Sequence, residues 1–265
     1  MAQRVDYNRV ARRYDDEALR KRPADPKLVE FCEARGAADG AGVRMLDVGC
    51  GTGIQLVANL GRLPRLRATG VDLHEEMLAV ARSKTTEVDW LQADAGALPF
   101  ADGELDYVSA QLCFHHFRDK PRALAEAARV LKPGGRLVMV NLSPWRMRDW
   151  DVYRYFPEAF ARDELDFWTD EMLQSELERA GLVVSAVEPN DIRHEVELAE
   201  RLAFYRERYS PSQLLAISDE AFDAGLARIQ HDLSAAGGAP VRVTTHICLL
   251  TFVADKRAVF SPASS

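Results

Sequence analysis

The chain has 265 residues, 47% apolar and 28% charged, a composition that suits one large globular domain or a domain with an elaborated cap. Its net charge of −7, from 34 Lys+Arg against 41 Asp+Glu, leaves no basic excess to neutralise phosphates and argues against nucleic-acid binding as a main role. Four scattered cysteines, Cys32, Cys50, Cys113 and Cys248, make no C-x-x-C pair, so no metal site is expected and a cytoplasmic protein is the simplest reading.

The N-terminus lacks the apolar core of a signal peptide, and no apolar run approaches the length of a membrane span. Residues 5–20 read as a helix with Tyr7, Val10, Ala11, Tyr14, Ala18 and Leu19 on one face. A second helix over 26–36 leads through a loop from Gly36 to Gly42 into Val43, Met45, Leu46 and Val48, an apolar run of strand length. That strand carries Asp47 and breaks into Gly49, Gly51 and Gly53, with helix-compatible residues from Ile54. Glycines between a strand and a helix let backbone approach a ligand closely, and the helix N-terminus offers unpaired N–H groups. A dinucleotide fingerprint would need its third glycine where Ile54 stands.

The next strand, 66–72, ends at Asp72, about twenty residues past the glycines, where a carboxylate can accept ribose hydroxyls. The competing role for Asp72 is capping the helix from Glu75 to Ser83. A short strand near 88–91 leads to Asp94 and Ala95. A fourth strand from Asp106 to Leu112 ends in Gln111-Leu112-Cys113-Phe114-His115-His116-Phe117, and in an open α/β sheet ligands bind outside such carboxyl ends. A helix over 120–131 follows, then Leu131-Lys132-Pro133-Gly134-Gly135 and a fifth strand, 136–141.

Leu46-Asp47-Val48-Gly49-Cys50-Gly51-Thr52-Gly53 resembles the first motif of the class I S-adenosylmethionine (SAM) dependent methyltransferases. The run from Tyr7 to Asp15 looks like the N-terminal segment of ubiquinone-biosynthesis-type members. Leu98 to Val108 and Leu131 to Gly135 resemble that family's later turns, so that five motifs stand in order from 43 to 142. The resemblance implies SAM as cofactor, with Asp47, Gly49, Gly51 and Gly53 forming its loop and Tyr14 lying over the methionine end. It implies Asp72 on the ribose and Asp94 and Ala95 at the adenine edge; Leu73 and Met77 stand where they would wall the adenine, with core packing the competing reading for Met77. It places Gln111 beside the cofactor, with His116, or else His115, as the general base where the acceptor must lose a proton.

Eight of the chain's 22 aromatic residues fall between Trp145 and Trp168, which reads as an aromatic lid over a small-molecule substrate with Trp145 and Tyr153 in contact, or as a packed subdomain or homodimer face. A helix over 170–180 and a strand over 182–187 follow. Some fifty residues with helices near 195–208 and 219–235 then separate that strand from the last one, 241–253.

The expected fold is a Rossmann-like α/β domain over 1–265: a seven-stranded, mostly parallel sheet with its last strand antiparallel and helices on both faces. Its parts are an N-terminal cover (1–40), a SAM-binding core (43–142), the aromatic lid (143–168) and a C-terminal part (169–254) with a helical cap inserted at 189–240. The expected activity is methyl transfer from SAM to oxygen, nitrogen or carbon of a small acceptor, with no nucleic-acid or membrane partner. A SAM-binding protein catalysing a cyclisation, or a non-catalytic SAM-binding regulator, are the alternatives on the same fold.

Overall fold

The computed structural model describes residues 15, 22–208 and 211–258. Of the helix expected over 5–20 only Asp15 is among the described residues; the rest of it, Tyr14 included, lies outside them.

The chain folds into two compact units. The core unit comprises the described residues as far as Asn141, then Glu171–Glu188, and the chain from Thr251 onward. Its elements alternate as the apolar runs require: α1 (Pro26–Ala34), β1 (Arg44–Val48), α2 (Ile54–Arg62), β2 (Arg67–Asp72), α3 (Glu75–Lys84), β3 (Val88–Gln92), β4 (Leu105–Gln111), α4 (Lys120–Val130) and β5 (Leu131–Leu142). The seven strands of the sheet stand in the order β3-β2-β1-β4-β5-β7-β6, with β6 spanning Leu182–Glu197 and β7 Arg242–Lys256. The sheet is mixed and mostly parallel, as expected.

Parallel register aligns the strand ends. Val48 faces Val71, Asp72 faces Gln92 and Gln111 faces Val140, so the carboxyl ends of β1 to β5 form one edge. Between β4 and β5 the partners jump, Leu105 to Leu131 and then Tyr107 to Arg136, because Lys132 to Gly135 loop out with Gly134 at φ 75°. That loop is the expected turn before the fifth strand.

Met45, Leu46, Leu56, Leu78, Tyr107 and Val138 pack the core around the sheet at 0% exposure. Burial of such side chains contributes about 1.5–3 kcal/mol each. One close contact fixes two glycines at once. A Cβ on Gly53 would sit 2.4 Å from Trp90 Cη2, and one on Gly70 2.6 Å from Trp90 Cζ3, so the indole fills the space that both leave.

The second unit comprises Leu142–Asp170 and Pro189–Leu250 and so holds both the aromatic segment and the insertion. It contains α5 (Asp151–Tyr155), α6 (Pro157–Asp166), α8 (Leu198–Arg206), α9 (Ser212–Leu215) and α10 (Asp219–Ala235), while α7 (Asp170–Arg179) precedes β6. Five of the eight aromatics, Trp150, Tyr153, Tyr155, Phe156 and Phe167, are buried. Phe156 stacks on Phe222 with centroids 5.8 Å apart and meets Tyr205 edge-on at 5.4 Å. The aromatic excess therefore supplies a hydrophobic core, and Trp145, Phe160 and Trp168 remain half-buried. Beneath it, Asp151 accepts from Arg201 Nε at 2.7 Å and from Thr245 Oγ1 at 2.8 Å.

Several boundaries differ from the sequence reading. The fifth strand, expected over 136–141, spans Leu131–Leu142. The helix expected over 26–36 ends at Ala34. Strand β6 runs to Glu197 rather than stopping near 187, so 189–197 is strand and not helical insertion. Those added residues are mostly polar and almost all exposed, Ile192 included, so burial gives no signal there. Pairing with the long β7 holds them instead.

Candidate active site

The turn from β1 to α2 is set by hydrogen bonds before any ligand is considered. The N–H groups of Gly49 and Cys50 both donate to Val71 O, at 2.8 and 3.0 Å, which docks the turn on the end of β2. Gly49 stands at φ 71°, and a Cβ there would lie 2.7 Å from that of Cys113. At Gly51, φ 55°, an added Cβ would meet no atom within 4 Å. The first glycine is required by close packing, whereas the second faces open space.

Asp72 at the end of β2 is held by two backbone donors. Gly51 N–H reaches Oδ2 and His74 N–H reaches Oδ1, each at 2.9 Å. A carboxylate has about four acceptor sites, so both oxygens keep lone pairs for a ligand while their direction is fixed. Asp72 does not cap α3; His74 occupies that position. At the end of β3, Asp94 Oδ1 accepts from Gly96 N–H at 2.8 Å and closes a short turn.

These elements surround an open cleft at the carboxyl edge of the sheet. Gly49, Gly51, Asp72, Leu73, Met77, Asp94, Ala95, Gln111 and His116 all line it. Leu73 is 41% exposed and Met77 3%, which gives one wall an apolar surface beside the two carboxylates.

The structure sets other expected residues apart from the cleft. Asp47 does not line it; the side chain is 3% exposed and accepts a hydrogen bond from Ser109 Oγ at 2.5 Å. Burial pushes its carboxyl up to about 7, and the Asp25 and Asp72 charges act in the same direction against the Ser109 bond. It braces β1 against β4 behind the glycine turn. Gly53 also lies off the cleft; it precedes α2 and makes room for Trp90. His115 turns away from the lining, and burial holds its imidazole well below the usual range, aided by the charges of His116 and Lys120.

Trp145 and Tyr153 belong to the second unit. The Tyr153 hydroxyl donates to Asp163 Oδ2 at 2.6 Å inside that unit, where burial raises Asp163 to about 7. Its polar end is engaged in the unit's own core.

Three residues escaped the sequence reading: Arg22, Asp15 and Lys84. Arg22 donates to Gln111 Oε1 at 3.2 Å and brings a cation beside a cleft residue 89 positions away. Asp15 accepts from Thr52 Oγ1 at 2.6 Å and pairs with Lys84, whose Nζ also donates to Thr52 O at 2.7 Å. No local pattern marks Arg22. Asp15 had one: it is the acidic residue closing the Tyr7-to-Asp15 run, and here it reaches the glycine turn.

Against this geometry, residues 46–139 match the family model described as a methyltransferase domain. That segment is a class I, SAM-dependent methyltransferase domain. The demethylmenaquinone methyltransferase of Thermus thermophilus is 43% identical over 112 residues, 41% of this chain and 51% of that protein. The chain spans about half the length, or less, of the first curated relatives it matches. The methyltransferase in a Haloferax volcanii complex with the activator Trm112 superposes with TM-score 0.57 at 20% identity, covering 97% of this chain and 100% of that one. Phosphoethanolamine N-methyltransferase 2 of Haemonchus contortus, solved with S-adenosylhomocysteine (SAH), gives TM-score 0.52 at 22% identity over 89% of this chain and 53% of that one. At those identities the structures show the fold.

The residues present in the methyltransferase domain fit SAM. Asp72 offers two oriented acceptors to a diol, Leu73 and Met77 offer an apolar wall, and Gly51 lets backbone approach. Arg22 beside Gln111 provides a cation near the same cleft for a carboxylate.

Proposed function

We propose that this chain moves the methyl group of SAM to oxygen, nitrogen or carbon of a small organic acceptor, releasing SAH. The observation that carries the reading is Asp72, fixed by two backbone N–H groups at the mouth of a cleft walled by Leu73, Met77 and Ala95. A diol binds such a carboxylate through charge-assisted hydrogen bonds, about 1.5–3 kcal/mol each. Asp94 and the Ala95 backbone serve the adenine edge, and Gln111, oriented by Arg22, serves the methionine end.

SAM supplies an activated methyl group on a sulfonium, so the chain's own task is proximity, alignment and a dry approach for the acceptor. His116 lines the cleft and is the group placed to take a proton from an acceptor that must lose one. His115 is held as the neutral base by its burial and supports the turn rather than the reaction. Tyr14 covers the methionine end in this reading, a role consistent with Asp15 being anchored on the glycine turn. The relatives that methylate quinone precursors point to small molecules as acceptors. A net charge of −7 speaks against nucleic acid, and no helix among the described residues is long and apolar enough to cross a membrane. The proposed setting is the cytoplasm, and association of two copies is a further use of the second unit.

Calorimetric titration with SAM and SAH, with NAD as control, tests the cofactor. Labelled methyl from SAM, followed into a panel of small acceptors, tests the reaction. Tight binding of NAD in place of SAH overturns the reading, and SAH binding without any methylated product turns it toward a non-methylating reaction on the same fold.

A further inference from the structure

Five adjacent strands of the core unit carry a polar side chain near their carboxyl ends: Asp47 on β1, Asp72 on β2, Gln92 on β3, Gln111 on β4 and Asn141 on β5, of which Asp72 and Gln111 line the cleft. Four of these are engaged. Asp47 accepts from Ser109, Asp72 from Gly51 and Gln111 from Arg22, while Gln92 Nε2 donates to Leu73 O at 3.0 Å. Asn141 differs. It is 7% exposed, and neither its amide oxygen nor its amide nitrogen has a hydrogen-bond partner among the described residues.

A buried amide with both ends unpaired forfeits its hydration without compensation, and an apolar residue of similar shape would be the more stable choice at such a position. The rest of β5 makes that choice at Leu137, Val138 and Met139. A second departure lies on the neighbouring strand end. Leu112 lines the cleft at φ 53°, a conformation disfavoured for any side chain, and its N–H donates to Val140 O at 2.7 Å, one residue before Asn141. Backbone strain and unpaired buried polar groups gather where a protein holds a ligand. The ends of β1 to β4 are taken by the cleft already assigned to SAM, and β5 is the next strand over.

We propose that Asn141 is a hydrogen-bonding residue for the methyl acceptor, gripping a neutral group that presents a hydroxyl beside a carbonyl oxygen. The amide oxygen takes the hydroxyl proton and the amide nitrogen donates to the carbonyl. A carboxylate or phosphate would satisfy the nitrogen alone and set its charge against the amide oxygen. An ammonium would satisfy only the oxygen. The proposal rests on the methyl-transfer reading solely in naming the ligand as the acceptor.

The test compares the wild-type chain with Asn141→Leu and Asn141→Val, two variants of different shape. With no partner lost, the better-packing variant melts higher than wild type by roughly 2–4 °C. The Asn141 side-chain amide, followed by NMR in protein carrying nitrogen-labelled asparagine, shifts saturably with hydroxyacetone and not with acetate. SAH affinity stays within about twofold of wild type in both variants. Melting lowered in both variants, or an amide signal that hydroxyacetone does not move, overturns the proposal. Absence of SAH binding in the wild type defeats the methyl-transfer reading instead, and leaves the melting and amide results to decide whether Asn141 is a ligand site.

Discussion

The carboxylate of Asp72 accepts the N–H of Gly51 at 2.9 Å, joining the end of β2 to the turn after β1 across 21 positions of sequence. The same oxygen that would receive a ligand hydroxyl thus also orients the backbone over which that ligand lies. Binding and loop geometry are coupled at one atom.

Replacing Asp72 by Ala therefore removes both. SAM and SAH affinity should fall by about 1.5–3 kcal/mol, the range for hydrogen bonds to a charged acceptor. Titration calorimetry on the folded variant reads this directly, and unchanged affinity would remove Asp72 from the ribose.

Gly53→Ala should destabilise the fold by about 1–3 kcal/mol, because the new methyl lies 2.4 Å from Trp90 Cη2 at a backbone φ of 76°. Denaturant melts of Gly53→Ala alone and combined with Trp90→Leu separate the two causes. The clash is relieved in the double variant and the positive-φ cost persists. Equal stability of Gly53→Ala and wild type would contradict the packing described.

His116→Ala should lower turnover far more than SAH affinity if the imidazole, which lines the cleft, takes the acceptor's proton. The pH profile of kcat/KM should lose its limb for the required base in the same variant. A variant with full turnover would return His116 to a packing role. His115→Ala should instead act on stability, its imidazole being held neutral by burial.

Asp47 gives a pH dependence with a definite sign. Its carboxyl is raised to about 7 in the folded chain, against about 3.9 when unfolded. Between these values the folded state keeps the proton that the unfolded state has lost, so this group makes stability fall as pH rises from about 4 to about 7. Other carboxyls with lowered values, Glu104 and Glu126 among them, act in the opposite sense. The difference between wild type and Asp47→Asn isolates the effect. The variant's relative stability should climb across that interval by an amount on the order of a few kcal/mol. A flat difference would place Asp47 ionised in the folded state.

Much of the core was legible because strand, glycine turn and helix are local patterns. Val43 to Gly53 reads as a strand entering a ligand turn from residue types alone, and the strand ending at Asp72 follows from the same alternation, whereas Asp94 and the fourth strand with Gln111 are reached through the family resemblance. The sequence could not separate Gly51 from Gly53, or His116 from His115. Each pair is alike in type and differs only in what packs against it, Trp90 in one case and burial in the other. Asp47 lies within a binding motif, yet its side chain points to Ser109 on the neighbouring strand.

By itself the sequence determined the order of elements, the parallel core and the cleft's edge, since apolar periodicity and glycine spacing act over a few residues. Only the tertiary structure decided which polar groups reach the cleft, that Arg22 meets Gln111, that the aromatics of 145–168 chiefly fill a core, and that Asn141 is buried without a partner among the described residues. The physical reason is range: burial and hydrogen-bond partnership are set by residues tens of positions away, and local composition carries no record of them.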